Sequence, residues 1–204
     1  MTIPSKRLKS TAAATLAISS LALAIFASPA LATKEGSLAP DALVPALGQE
    51  QQSKDLPPSA VAASHAVSDL ATDSVRLLKK TTSASYYTAV SSDRSEVCLV
   101  VSLDAPAGNI ATACMTREQF NENGLSLHIW GDQSAANAKG VTAYLVPSDV
   151  ELEANPTAKS LRADSVMSSR ASSLLIVEGP DDLPATVELP RSTSPRAFVL
   201  NRLD

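Results

Sequence analysis

The sequence predicts a small, mostly β, α+β domain: an antiparallel meander closed by one disulfide and carrying one or two short helices. Three observations lead there. From Ser83 onward apolar residues recur with a period of two, in runs of four to eight bounded by polar turns. Only two cysteines occur, Cys98 and Cys114, one in each of two successive runs. The aromatics Tyr86, Tyr87, Phe120, Trp130, Tyr144 and Phe198 are confined to the C-terminal two-thirds, apart from Phe26.

In chain order, residues 1–32 have the three parts of a secretory signal peptide. Lys6, Arg7 and Lys9 supply the basic start, and no charge follows from Ser10 to Ala32. Pro29 and the small residues Ala30 and Ala32 place a cut before Thr33. Retained instead of cleaved, the uncharged stretch is long enough to anchor the chain in a membrane of about 20 helical residues' thickness. Residues 33–58 hold Pro40, Pro45, Pro57 and Pro58 among isolated apolar residues with no sustained period, which predicts a disordered tether. The folded domain is then expected over residues 59–204, opening with a helix over 59–80. Ala63, Val67, Leu70, Ser74, Leu77 and Leu78 fall at helical steps there, and Lys79-Lys80 suits the helix end. A short helix or strand edge from Asp73 to Leu78 is the other reading of its end.

The sheet begins at about residue 84. Strands are expected over 84–90, 96–103 and 110–115, separated by the turns 91–95 and 104–109. Thr116 with Gln119 three residues on reads as a helix start, and Gly124 as its stop. Further strands follow over 125–130, 141–146, 174–178, 186–189 and 197–200, with 151–173 read as loop. If the hairpin turns about Pro106, strand partners sum to 212. Val100 then faces Thr112, Ser102 faces Ile110, and Cys98 faces Cys114 directly, within bonding range of a disulfide.

The run Tyr86-Tyr87, Val97 to Val101, Ala113-Cys114, Phe120, Gly124-Leu125 and Tyr144 to Pro147 resembles a pattern in uncharacterised exported proteins of high-GC Gram-positive bacteria. The resemblance spans residues 86–147 of 204. It implies a strand, paired-cysteine, helix and strand arrangement, and no activity.

Chemistry is sparsely signalled. Removing residues 1–32 takes three of 17 basic residues and none of 21 acidic ones, so the net charge moves from −4 to −7. That balance disfavours nucleic acid and anionic lipid as partners. The two histidines, His65 and His128, the two cysteines and the scattered acids show no metal-ligand spacing, and the seven glycines form no phosphate loop. No cofactor and no metal site are expected. Ser126 and His128 share a strand face and suggest a hydrolase pair, but without a nucleophile elbow or an orienting acid. Tyr86, Tyr87, Trp130 and Tyr144 make either an aromatic platform or core. The favoured expectation is a non-enzymatic envelope or extracellular binding or structural module, with a cell-wall or secreted protein component as its partner. The alternative is an exported hydrolase using Ser126 and His128.

Overall fold

The computed structural model describes residues 38–104, 109–130, 140–152, 173–177 and 184–201. The signal and cleavage residues Ala30, Ala32 and Thr33, residues 33–37 of the expected tether, and most of the 151–173 loop lie outside them.

Nine strands form three antiparallel sheets among the described residues. The first sheet is a meander of β1 (Arg76–Lys80), β2 (Ala84–Val90), β3 (Glu96–Leu103) and β4 (Ile110–Thr116). The second joins β5 (Leu125–Ile129), β6 (Val141–Leu145) and β7 (Leu174–Val177). A ribbon of β8 (Thr186–Leu189) and β9 (Phe198–Asn201) makes the third. From β2 onward, strand boundaries read from the period-two pattern hold to within one residue.

The strands are apolar on both sides because both sides are covered. Tyr86, Val97, Leu99 and Val101 face one way and pack on Leu125, Val141, Ala143, Leu145, Leu174 and Ile176 of the second sheet. The opposite face, with Tyr87, Ala89, Cys98 and Val100, packs under Leu70 and Val75. Tyr144, Leu175 and Val177 on the far side of the second sheet pack on Val187, Leu189, Phe198 and Leu200 of the ribbon. Four layers result, with a β-sandwich in the middle.

The hairpin register is the expected one. Cys98 pairs with Cys114, Val100 with Thr112 and Ser102 with Ile110, and Cys98 and Cys114 form a disulfide with Cα atoms 4.1 Å apart. Cys98 is buried and Cys114 is exposed.

Two expectations are corrected. Residues 38–58 are not a disordered tether. Pro40 opens helix α1 (Pro40–Leu43) and Pro45 opens a 3-10 turn, each at a first-turn position where proline lacks nothing a helix needs. Leu43, Val44 and Ala46 are then buried in the central core. Asp55, fully buried, accepts N–H bonds from Gln52 at 2.8 Å and Leu77 at 3.1 Å. The folded unit spans Glu35–Asp204, so it starts well before residue 59.

Nor is 59–80 one helix. It divides into α2 (Ser59–Ala62), 3-10 turns at His65–Val67 and Thr72–Ser74, and strand β1. Its apolar residues step at helical intervals but serve different surfaces. Val67 and Leu77 pack with the outer cluster, whereas Leu78 enters the central core.

Helix α3 (Arg117–Asn123) behaves as its caps dictate. The Thr116 hydroxyl accepts the Gln119 N–H, and Gly124 ends the helix at φ 64° and ψ −170°. That conformation is open to glycine alone. A Cβ there would stand 2.8 Å from the Leu145 carbonyl oxygen and 2.9 Å from Phe198 Cζ. Gly124→Ala should therefore cost at least about 2 kcal/mol, combining backbone strain with a clash against fixed main chain. A urea midpoint indistinguishable from the parent would refute this.

Arg191 fastens the ribbon to the remainder. Its guanidinium donates twice to the Asp149 carboxylate and twice to Asn121, all at 2.8 Å. Burial pushes the Asp149 carboxyl up, but donation from Arg191 and Thr193 and the Arg191 charge outweigh it, so the acid is held below its ordinary range.

Candidate functional site

The outer face of the first sheet carries a pocket. Tyr87 and Val100 are direct cross-strand partners and form its base, both nearly inaccessible to solvent. Residues 56–75 arch over them. Pro57-Pro58 stops any earlier helix from continuing, and Ser64 caps the turn at His65–Val67 by accepting the Ala66 N–H.

The arch is tied down beside β2. The Ala71 N–H donates to the Val90 carbonyl, and Ser92 N–H to the Asp69 carbonyl, at 2.9 and 2.8 Å. The Ser74 hydroxyl accepts from Val90 N–H and donates to the Ala71 carbonyl. From the other side Gln51 Nε2 donates to the carbonyls of Thr72 and Val75. An Asp73–Arg94 ion pair at 2.6 Å adds an exposed tie.

What this leaves between arch and sheet is a cavity of about 290 Å³. Val61, Leu70 and Val75 line it deeply, and Leu56, Ala62 and Val67 stand nearer its mouth. Leu56 is 58 % exposed, which is unusual for a leucine beside a pocket. Among the described residues of the lining, Thr72 and Tyr87 are the only polar side chains and none is charged. Desolvation raises the Tyr87 phenol above its ordinary value, opposed by the Ser85 hydroxyl and assisted by the Asp104 charge. The phenol therefore stays neutral at physiological pH. Such a site suits an uncharged apolar group.

The expected hydrolase pair does share one face of β5, opposite Tyr144 and Thr142. The two side chains have separate surroundings, however. His128 Nδ1 is hydrogen-bonded at 2.6 Å to Thr142 Oγ1, and its ring meets Trp130 edge-on at 4.1 Å. Gly140 packs against His128 Nε2. Burial pushes the imidazole pKa down. Ser126 lines a second groove that contains no charged side chain among its described residues. Neither an orienting acid nor a serine–histidine contact is found there. Elsewhere among the described residues, no three His, Cys, Asp or Glu side chains converge as a metal site would require.

The aromatics do not meet. Tyr86, Tyr87 and Tyr144 are buried in three different clusters, and Trp130 alone is exposed, at 59 %. Adjacent Tyr86 and Tyr87 take opposite faces, as strand geometry requires.

The pocket itself escaped sequence reading, since Leu56 and Pro57 fell in the expected tether and Val61 to Val75 in the expected helix. One signal pointed to it. Val97-Cys98-Leu99-Val100-Val101 is apolar on both faces, so something outside the meander had to cover the second one. No protein-family model matches the chain, and neither does any curated protein or solved structure.

Proposed function

We propose that this chain is an exported, non-enzymatic binding module of the cell envelope or extracellular space, and that it holds an uncharged apolar group of its partner. The observation that carries this reading is the apolar cavity over Tyr87 and Val100. The basic, uncharged and A-x-A parts of residues 1–32 support export. The Cys98–Cys114 bond fits the oxidising setting that export reaches. A cell-wall or secreted component fits as the partner. An acidic surface and an uncharged cavity give little purchase to phosphate-bearing ligands.

The test uses Nile red, a neutral apolar dye, on the exported protein. Saturable fluorescence enhancement is expected, with affinity lowered at least about tenfold by Ala62→Trp, a change of about 1.4 kcal/mol. Ala62 is exposed at the mouth, so the larger ring fills the cavity without disturbing the core. Equal binding by the variant would remove the cavity from the reading. Fluorophosphonate labelling that disappears on Ser126→Ala would replace the reading with the hydrolase alternative.

A further inference from the structure

A third hollow, of about 190 Å³, lies between the C-terminal end of helix α3 and the β8–β9 hairpin. Its two walls differ in polarity. Arg191, Ser194, Arg196 and Asn201 stand on the hairpin wall, and Glu122 and Asn123 on the helix wall.

The bonds already made decide what each wall has left to offer. Arg191 spends four of its five N–H groups on Asp149 and Asn121, which leaves one on Nη1. The Ser194 hydroxyl oxygen accepts the Arg196 N–H, so its own proton is unspent. Asn201 Oδ1 accepts from the Thr186 hydroxyl at 3.5 Å, which leaves its Nδ2 donors. Arg196 has most to give. Arg76, Arg94, Arg117 and Arg191 each donate to a protein acceptor, and among the described residues Arg196 is the one arginine whose guanidinium does not.

The helix wall is the reverse. Asn123 Nδ2 donates to the Gln119 carbonyl at 3.2 Å, so Oδ1 remains as an acceptor. The Glu122 carboxylate meets neither a donor nor a cation among the described residues. Unspent donors therefore line one side and unspent acceptors the other, with one unpartnered full charge on each. Asp149 neutralises Arg191, so Arg196 and Glu122 offset each other and the hollow is neutral as a whole.

We infer that this hollow binds a small aliphatic α-amino acid as its zwitterion. The carboxylate would lie against Arg196 and the unspent Arg191 N–H, a charge-assisted pairing that the planar guanidinium favours. The ammonium would lie against Glu122 and Asn123 Oδ1. Ala197 and Val199 supply an apolar patch for the side chain, Val199 being 43 % exposed. Size narrows the choice. A volume of about 190 Å³ equals that of about six waters at ~30 Å³ each, which suits a molecule near valine in size. Inorganic phosphate is small enough to enter, but its second negative charge would fall beside Glu122 without a counterion. A neutral sugar would gain nothing from the two opposed charges. This site shares no lining residue with the cavity over Tyr87 and stands or falls independently of it.

The probe is L-valine, titrated calorimetrically into the intact chain, and one saturable site is expected. Isovalerate keeps the carboxylate and lacks the ammonium, whereas valinamide keeps the ammonium and lacks the carboxylate. Each should bind at least about tenfold more weakly than valine, the loss of one charge-assisted interaction. Arg196→Gln should weaken valine by a similar factor. Glu122→Gln should do so too, while isovalerate binds this variant no more weakly than it binds the parent. Both side chains are exposed, so each variant should melt as the parent does. The ligand comparison on the unaltered chain holds whatever the variants do. Absence of saturable binding at millimolar valine would overturn the inference. Isovalerate or inorganic phosphate binding as tightly as valine would also overturn it, by showing a site for anions only. Valine binding undiminished in both variants would place the ligand elsewhere and overturn it equally.

Discussion

Deleting residues 33–58 from the chain should leave it unfolded. The deletion removes Leu43, Val44 and Ala46 from the central core. Each large apolar side chain lost from a packed core costs about 2–5 kcal/mol, against a total stability of about 5–15 kcal/mol for a typical domain. Several buried groups lose their partners as well. Arg76 Nε, which donates to the Gln49 carbonyl at 2.8 Å, sits on a nearly inaccessible side chain. The Leu77 N–H loses the Asp55 carboxylate, and Ser148 loses the carbonyls of Ala42 and Leu43. Circular dichroism of the shortened chain should show no cooperative melting transition. A transition at the parental temperature would mean that this segment contributes nothing to the fold.

Opening the Cys98–Cys114 bond is the next largest effect. Its two cysteines stand 16 positions apart, and closing a loop of about that length stabilises by about 3 kcal/mol through loss of unfolded-chain entropy. For a domain of this size the melting temperature should fall by about 6–12 °C on reduction. Cys98→Ala with Cys114→Ala should reproduce that fall without reductant. Residue Cys114 is exposed while Cys98 is buried, so a reductant should reach the bond on the native protein from the Cys114 side. Calorimetry before and after alkylation measures it, and an unchanged melting temperature would show that the bond constrains nothing of consequence.

The parts of the fold that were legible are those governed by local periodicity. Strand Ala84–Val90, the hairpin register and the capped helix after Thr116 each follow from neighbours within a few residues. The parts that escaped are held by distant partners. Leu43 and Val44 sit in an irregular stretch whose order depends on Gln51, Asp55 and Arg76 finding groups 22 to 27 residues away. No periodic pattern records such bonds. Pro40 and Pro45 were equally ambiguous, since proline marks both helix starts and disordered linkers. The helical spacing from Ala63 to Leu78 arose from a chain that changes layers, so its apolar residues recur without lying on one stripe. For the site, the face shared by Ser126 and His128 was predictable from strand alternation. The bond between His128 and Thr142 required knowing which strand lies alongside.

The bond from Ser148 N–H to the Leu43 carbonyl joins the beginning of the folded unit to a position 105 residues later. A chain that leaves the ribosome, or an export channel, N-terminus first presents Leu43 and Val44 long before Val141 to Leu145 and Leu174 to Val177 exist for them to pack against. Until about residue 177 has emerged, the earlier half has no lid for its central core, and folding must wait for nearly the whole polypeptide. The 98–114 hairpin is the exception, being local enough to close early. Its oxidation would then set a fixed register from which the slower layers assemble.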